Sequence, residues 1–465
     1  MPPPLTIFDS PDLREIGQWL YDRFCQQLQA GWLISHDGAV IIDSLSERLR
    51  QRAEQLVTKF SQTRPNFISI ATADPSEFIA QLMAGTRLGL PIFLGNPRWG
   101  AVEWAQVASL TLQVEPQHQH LIMIPTGGSS GVIKFVTHTW ATLSASVWGF
   151  QEFYDLAAIN TICTLPLYHV SGLMQLCRSL LTDGKLVIVD FRELCAESNS
   201  QIDRIEIEDY FISLVPTQLT KLLDVDTQWL GKVQTILLGG APPSSELLTR
   251  ARTANLPIAL TYGMTETASQ IASLKPAEFL AGYHSCGLVL PHAKIETILE
   301  IDRDRSLDLE LDAGALRIQA KSLMLGYFPD LTLPTYFEPD DIGTFDEQGY
   351  LTILGRNSNK IISGGENIFP IEVINAIMAT GLVQDVWVVG VPDRYWGQAV
   401  TAIYVAKDLS VSAATLATAI TGKVSNYKIP KHWILVAKIP RNKLGKILDR
   451  EVRSLVSHHL GVNSG

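Results

Sequence analysis

The chain has no basic tract, no paired-cysteine motif and no apolar run approaching the thickness of a bilayer. Its 465 residues carry 37 Lys plus Arg against 47 Asp plus Glu, a net charge of −10. That balance excludes wrapping of nucleic acid, whose affinity comes largely from neutralised phosphates. It does not exclude a small anionic ligand, which a few local donors can hold. The five cysteines (Cys25, Cys163, Cys177, Cys195 and Cys286) are odd in number and show no C-x-x-C spacing. A disulfide framework and a structural zinc site are therefore not expected, and Cys177 and Cys286 are read as core-type thiols. MPPPLTIFDS lacks the cationic start and apolar stretch of a secretory signal. The longest apolar runs, KLVIVD and the stretch around residues 434–437, fall far short of the about 20 residues needed to span a membrane. No fixed-period repeat or low-complexity segment appears. The expectation is a soluble, cytoplasmic protein with no membrane span, and a homo-oligomer is compatible with it.

What is present is core. Hydrophobic residues make up 46% of the chain and charged residues 18%, a globular composition. At roughly 150 residues per domain, the length suggests about three compact units. From about residue 120 a strand–turn–helix rhythm begins, with an apolar run at 121–124 and a helical pattern over 139–156. NTICTLPL, KLVIVDF and the segments 210–215, 233–238 and 257–262 read as buried strands of a mostly parallel sheet. AKIETILEI, SLDLELD and GALRIQA alternate apolar and polar residues, as antiparallel strands with one wet face do. A Gly-rich stretch over 355–370 leads to a smaller segment with strands VWVVGV, VTAIYVA and WILVA around a helix at 413–424. The predicted architecture is α/β. It has a large N-terminal domain (1–355) with mostly parallel sheets plus a β-barrel-like part, a hinge at 356–358, and a small mobile α+β C-terminal domain (359–465). Residues 1–120 show helices without assignable chemistry.

The strongest local signal is TGGSSGVIK, comprising Thr126, Gly127, Gly128, Ser129, Ser130, Gly131 and, after Val132 and Ile133, Lys134. A glycine–serine loop that follows an apolar strand and ends in lysine gathers backbone N–H groups, hydroxyls and a cation. That combination can hold a polyphosphate. It is not a Walker loop, in which Lys follows the last Gly directly and Ser or Thr comes next, so a P-loop kinase or GTPase is disfavoured.

TGGSSGVIK resembles the phosphate loop of the adenylate-forming enzymes (acyl- and aryl-CoA ligases, luciferases and peptide-synthetase adenylation domains), with Ile133 where that loop usually has Pro. Further motifs follow in family order as far as Lys446. PLYHVSG is similar to the acyl-site motif, which implies His169 at the mouth of the carboxylate pocket. YGMTET is similar to the next motif, which implies that Thr265 contacts the α-phosphate and Glu266 ligates Mg²⁺. Asp340–Gly343 and FDEQGYLTILGR resemble the ribose-binding stretch, with Asp341 on the hydroxyls and Arg356 in support. KIISGGENIFPIEV and PRNKLGK resemble the loop after the hinge and the motif of the catalytic lysine, Lys446. The resemblance also implies nucleotide contacts at Gly240 and Tyr262, acid contacts at Gly263 and Ser269, a hinge at Ser358, and a CoA pantetheine tunnel lined by Gly364 and Gly365. ATP, Mg²⁺ and CoA are the implied cofactors and co-substrates. The implied partner is a small carboxylic acid, activated as an acyl-adenylate and then passed to a thiol.

TYGMTETASQIASL, Ser358 and SGGENIFP look most like the 2-succinylbenzoate–CoA ligases of menaquinone and phylloquinone biosynthesis, and TGGSSGVIKF followed by HTW like their phototroph branch. Such a substrate is a dicarboxylate, so its second carboxylate calls for a cation. Arg178 follows His169 by nine positions and is the only Arg or Lys between His169 and Lys185. Arginine suits a planar carboxylate. Two alternatives stay open: a ligase for another aromatic or medium-chain acid, and a relative that binds adenylate without turnover.

Overall fold

The computed structural model describes residues 13–34, 42–127, 132–195, 205–225, 228–298, 313–363, 366–408, 410–441 and 447–460. An eight-stranded sheet forms the centre of the N-terminal part. In spatial order its strands are Leu33–Ile34, Leu186–Ile188, Asn160–Cys163, Tyr210–Leu214, Thr235–Leu238, Ile258–Met264, Ser269–Ser273 and Leu288–Val289. The first six run parallel and the last two antiparallel. The parallel strands are nearly continuous apolar runs, as sheets covered on both faces require. One face packs on the helices Leu13–Gln29, Pro75–Arg87, Trp140–Tyr154 and Val170–Leu181; Leu219, Leu222, Leu247 and Leu248 cover the other.

A second, five-stranded sheet is ordered Gly326–Phe328, Ile133–His138, Ile122–Gly127, Ile92–Leu94 and Ile68–Ile70. Two features depart from the sequence reading. Residues 1–120 contribute strands as well as helices, because ISI and IFL are too short to register as alternation. Between the glycine loop and the expected helix lies an unforeseen strand, Ile133–His138, which pairs antiparallel with Ile122–Gly127 as a hairpin. The β-branched residues of IKFVTH favour that strand. The helix starts only at Trp140, capped by the Thr139 hydroxyl on the Thr142 amide.

Four antiparallel strands, Ala293–Ile298, Gly314–Ala320, Asp341–Phe345 and Leu351–Arg356, make the third sheet, with the alternating burial their pattern predicts. SLDLELD lies outside the described residues. After Arg356 a short turn, Asn357–Asn359, leads to a sheet built from Ile361–Ser363, Glu366–Ile368, Val383–Asp393, Gly397–Ala406 and His432–Leu435. That sheet has its own core of Val386, Val388, Val400, Ala402, Leu416 and Ile420, among others. The five cysteines are free thiols. Burial pushes Cys177 up to about 12 and Cys286 to about 11, which keeps both protonated and inert. No helix among the described residues is long and apolar enough to cross a membrane.

Candidate active site

The helix Val170–Leu181 begins at His169, whose extended backbone (φ −100°, ψ 149°) turns the chain out of the strand Asn160–Cys163. Gly172 in its first turn touches the preceding segment; a Cβ there would lie 2.2 Å from the Pro166 carbonyl oxygen. The His169 ring sits 4.7 Å from the Tyr168 ring, and burial pulls its pKa below the ordinary histidine value. Arg178 lies about 13 Å further along the helix axis at 1.5 Å per residue. It is 2% exposed. Its Nη2 donates to Ser269 Oγ at 3.3 Å and Gln270 Oε1 at 3.4 Å, both long, and its guanidinium carbon lies 4.4 Å from the Phe150 ring centroid. Arg178 Nε has no partner among the described residues. Desolvation pulls the guanidinium down to about 10, and the neighbouring Tyr154 and Cys177 act in the opposite direction. A buried cation with no carboxylate partner among the described residues is costly, and an incoming anion would offset that cost.

Ser269 sits on a strained turn. Ala268 (φ 50°) and Ser269 (φ 85°) are consecutive non-glycine residues in the left-handed region, each costing about 1–3 kcal/mol unless its surroundings enforce it. The Ser146 hydroxyl donates to the Ala268 carbonyl at 2.7 Å and the Thr267 hydroxyl to the Ser269 carbonyl at 2.7 Å. The turn is thereby clamped. Beside it, Gly263 is required by close approach: a Cβ would stand 2.2 Å from the Ser269 oxygen.

On the opposite side of this turn the polar groups are paired. Thr126 and Lys134 are register partners on the hairpin, and Lys134 Nζ lies 5.4 Å from the Tyr327 ring centroid. The Tyr327 hydroxyl donates to Glu266 Oε1 at 2.7 Å. His138 Nε2 is 2.8 Å from the Thr265 carbonyl oxygen; that oxygen only accepts, so Nε2 carries the proton. Burial lowers the His138 pKa to about 4, so the ring is a neutral donor. The Tyr262 hydroxyl donates to Asp341 Oδ2 at 2.8 Å, and burial with the adjacent Asp341 charge pushes the phenol pKa well up. Asp341 pairs in register with Arg356, whose Nε lies 3.5 Å from Asp341 Oδ1. Gly240, two residues beyond the strand Thr235–Leu238, has φ 80°, where glycine is unstrained. Ser358 donates its hydroxyl to the Asp340 carboxylate and its amide to Asp340 Oδ1 at 3.2 Å.

Thr126, Lys134, Tyr262, Thr265, Glu266, Asp341 and Arg356 are linked in this way around the end of the Ile258–Met264 strand, with Gly263, Ser269 and Arg178 beside them; His169 lies at the start of the helix that carries Arg178. Gly128, Ser129, Ser130, Gly131, Gly364, Gly365 and Lys446 lie outside the described residues. Sequence reasoning missed Tyr327, His138 and Gln270; the Gly-Tyr-Phe step at 326–328 and the His that ends the hairpin were the available signals. Among the described residues no group of three or more His, Cys, Asp or Glu is placed to hold a metal. Glu266 is a single carboxylate. This suits Mg²⁺, which binds through one or two carboxylates and completes its shell with phosphate oxygens and water.

The model for AMP-binding enzymes matches residues 90–328, and that for the AMP-binding enzyme C-terminal domain matches residues 372–446. The chain belongs to the AMP-binding enzyme family. Among its relatives, the 2-succinylbenzoate–CoA ligase of Lactococcus lactis is 32% identical over 342 residues, 73% of this chain and 72% of that protein. The ligase of the same name from Bacillus subtilis is 32% identical over 340 residues, 70% and 67% of the two chains. The solved o-succinylbenzoate CoA synthetase of Bacillus subtilis, in complex with its acyl-adenylate intermediate, superposes with a TM-score of 0.77. That match covers 94% of this chain and 98% of the other at 24% identity. A Mycobacterium tuberculosis fatty acyl CoA synthetase matches at a TM-score of 0.65, with 21% identity and 94% and 98% coverage.

Proposed function

We propose that the enzyme is an ATP-dependent acid–thiol ligase that converts 2-succinylbenzoate, ATP and CoA into 2-succinylbenzoyl-CoA, AMP and diphosphate, a step of menaquinone or phylloquinone biosynthesis. The observation that carries the choice of acid is Arg178, a fully buried cation that no carboxylate among the described residues offsets. A dicarboxylic substrate brings one carboxylate to be activated and a second that matches Arg178.

In the first half-reaction a carboxylate oxygen of the acid attacks the α-phosphorus of ATP and the bond to diphosphate breaks. Negative charge grows on the phosphoryl oxygens. Lys134, Thr265 and Lys446 are the donors assigned to it; donors that are oriented before the reaction need no reorganisation at the transition state. His138 fixes the Thr265 backbone, and Asp341, held by Tyr262 and Arg356, accepts the ribose hydroxyls. Mg²⁺ at Glu266 would supply charge neutralisation on the phosphate oxygens. His169, neutral and half enclosed, stands at the mouth through which the acid enters. In the second half-reaction the CoA thiolate attacks the acyl carbon and AMP leaves with the electron pair of the cleaved bond.

One lysine cannot serve both steps from one position. We assign residues 1–355 to a large nucleotide-binding unit, Ser358 to a hinge within 356–358, and 359–465 to a small unit that rotates. Rotation would break the Ser358–Asp340 contacts and bring Gly364 and Gly365 to the thiol path, where absent Cβ atoms leave room. We place the reaction in the cytoplasm, where ATP and CoA are supplied.

The test is mass-spectrometric detection of a CoA thioester after incubation with ATP, Mg²⁺, CoA and a mixture of acids. Formation of 2-succinylbenzoyl-CoA supports the assignment. A thioester of a monoacid alone, or no AMP from any acid, overturns it.

A further inference from the structure

One buried imidazole near Arg178 has no place in that chemistry. His292 follows the strand Leu288–Val289, in a turn fastened beside the strand that bears Ser269 and Gln270: the Leu290 amide donates to the Ile271 carbonyl at 2.8 Å, and the His292 carbonyl accepts from the Lys321 amide at 3.0 Å. The side chain is 9% exposed, and neither Nδ1 nor Nε2 has a hydrogen-bond partner among the described residues. Buried polar groups are nearly always paired, so two open nitrogens on one ring call for a physical reason.

A second observation comes from the facing helix. Gly149 lies in the middle of Trp140–Tyr154, where glycine destabilises relative to alanine. A Cβ at this position would stand 1.8 Å from His292 Nδ1. The glycine makes room for the imidazole. The next residue, Phe150, is the ring on which the Arg178 guanidinium rests. Imidazole and guanidinium therefore sit over neighbouring residues of one helix.

The open groups here are mostly donors. Arg178 Nε and Gln270 Nε2 lack acceptors among the described residues, and the His292 imidazole has one N–H to give; Gln175 Oε1 is the one open acceptor on the arginine's helix. Burial, with the Arg178 and Lys321 charges, lowers the His292 pKa to about 4. The ring is neutral near pH 7 and donates one hydrogen bond without adding charge. A surplus of donors around a buried guanidinium lacks an acceptor-rich anion.

We propose that His292 is a specificity-determining residue that donates its imidazole N–H to the substrate carboxylate seated on Arg178. The closed end of the pocket is then a two-armed receptor for an acid that carries a second carboxylate. Arg178 supplies the charge, and His292 supplies a further donor without adding charge. This inference rests on the ligase assignment above.

The test compares 2-succinylbenzoate with 4-oxo-4-phenylbutanoate and 2-butanoylbenzoate, which each lack one of its two carboxylates, by diphosphate release. The readout is the kcat/KM ratio of the dicarboxylate to whichever monoacid is adenylated. His292→Ala should lower that ratio tenfold or more. Gly149→Ala, which displaces the ring from the facing helix, should lower it in the same direction. His292→Gln keeps an N–H donor at similar size and should recover at least a third of the wild-type ratio; it also keeps the test intact should the alanine variant fold poorly. Ratios within twofold of wild type in both alanine variants would overturn the proposal, as would equal losses on all acids, the mark of a purely structural role. A wild-type enzyme inactive on all three acids would instead overturn the ligase assignment and take this inference with it, so the two failures are told apart by the wild type alone.

Discussion

The group of residues assigned to the nucleotide and the group assigned to the acid treat their polar atoms in opposite ways. On the nucleotide side each named carboxylate already has a donor: Asp341 has Tyr262 and Arg356, and Glu266 has Tyr327. At the acid end Arg178, Gln270 and His292 keep donors or acceptors unmet among the described residues. A satisfied network is rigid and holds its geometry before any ligand arrives. An unsatisfied one is a store of unfavourable desolvation that a complementary ligand relieves. The first arrangement suits a step that must be the same for every acid, the second a choice between acids. Rejection of the wrong acid follows from leaving buried polar groups unpaired, a stronger device than a missing apolar contact.

The sharpest way to break this contrast is to alter one side and ask whether every acid responds equally. Lys446→Ala removes a donor to the developing phosphoryl charge and should cost about 10²–10³ in adenylation rate, by the same factor for all acids. Thiolysis of supplied acyl-adenylate should survive. Equal loss in the two half-reactions, followed by stopped-flow or quench assay, would refute the role given to Lys446.

The acid end should behave otherwise. Arg178→Met should lower kcat/KM for 2-succinylbenzoate by about 10²-fold, since losing one partner of a desolvated charge pair costs about 2–5 kcal/mol, while a monoacid loses little. The same substitution should leave the free enzyme as stable or more stable, by about 1–2 kcal/mol, because an unpaired buried charge is replaced by an apolar chain. Thermal melting without ligand reads the second effect. A large fall in melting temperature alongside equal losses on all acids would make Arg178 a structural residue and erase the distinction between the two ends.

How much of this was legible in the sequence follows the same division. The parallel strands were visible because they are apolar throughout, and the motif residues because they are contiguous in the chain. Arg178 could be singled out as the only cation in its stretch. Its partners could not: Gln270 and Ser269 come from another strand, and Phe150 and Gly149 from a helix that precedes His169. His292 carries no local pattern at all, and only a Cβ-sized gap on the facing helix gives it meaning. The hairpin strand Ile133–His138 was hidden by the glycine loop before it and the helix after it. With it went His138, whose contact with the Thr265 carbonyl spans 127 positions. Long-range pairings of this kind are properties of topology and leave no spacing to read.

Tyr327 offers the finest test of the nucleotide side. Its hydroxyl holds one oxygen of Glu266 at 2.7 Å, while its ring faces the Lys134 ammonium at 5.4 Å. One side chain therefore orients both the carboxylate assigned to the metal and the cation assigned to the phosphates. Burial and the Glu266 charge raise the phenol pKa, so the hydroxyl stays a donor across the working range of pH. Tyr327→Phe keeps the ring and its stacking but frees the carboxylate. A hydrogen bond to a charged acceptor is worth about 1.5–3 kcal/mol when its partner is removed, and part of that returns through solvent at this half-buried site. The apparent Mg²⁺ requirement for adenylation should rise roughly tenfold, with KM for the acid unchanged. A shift in the acid KM at unchanged Mg²⁺ dependence would mean that Tyr327 belongs to the selective end of the cleft, and the boundary drawn between the two sides would move with it.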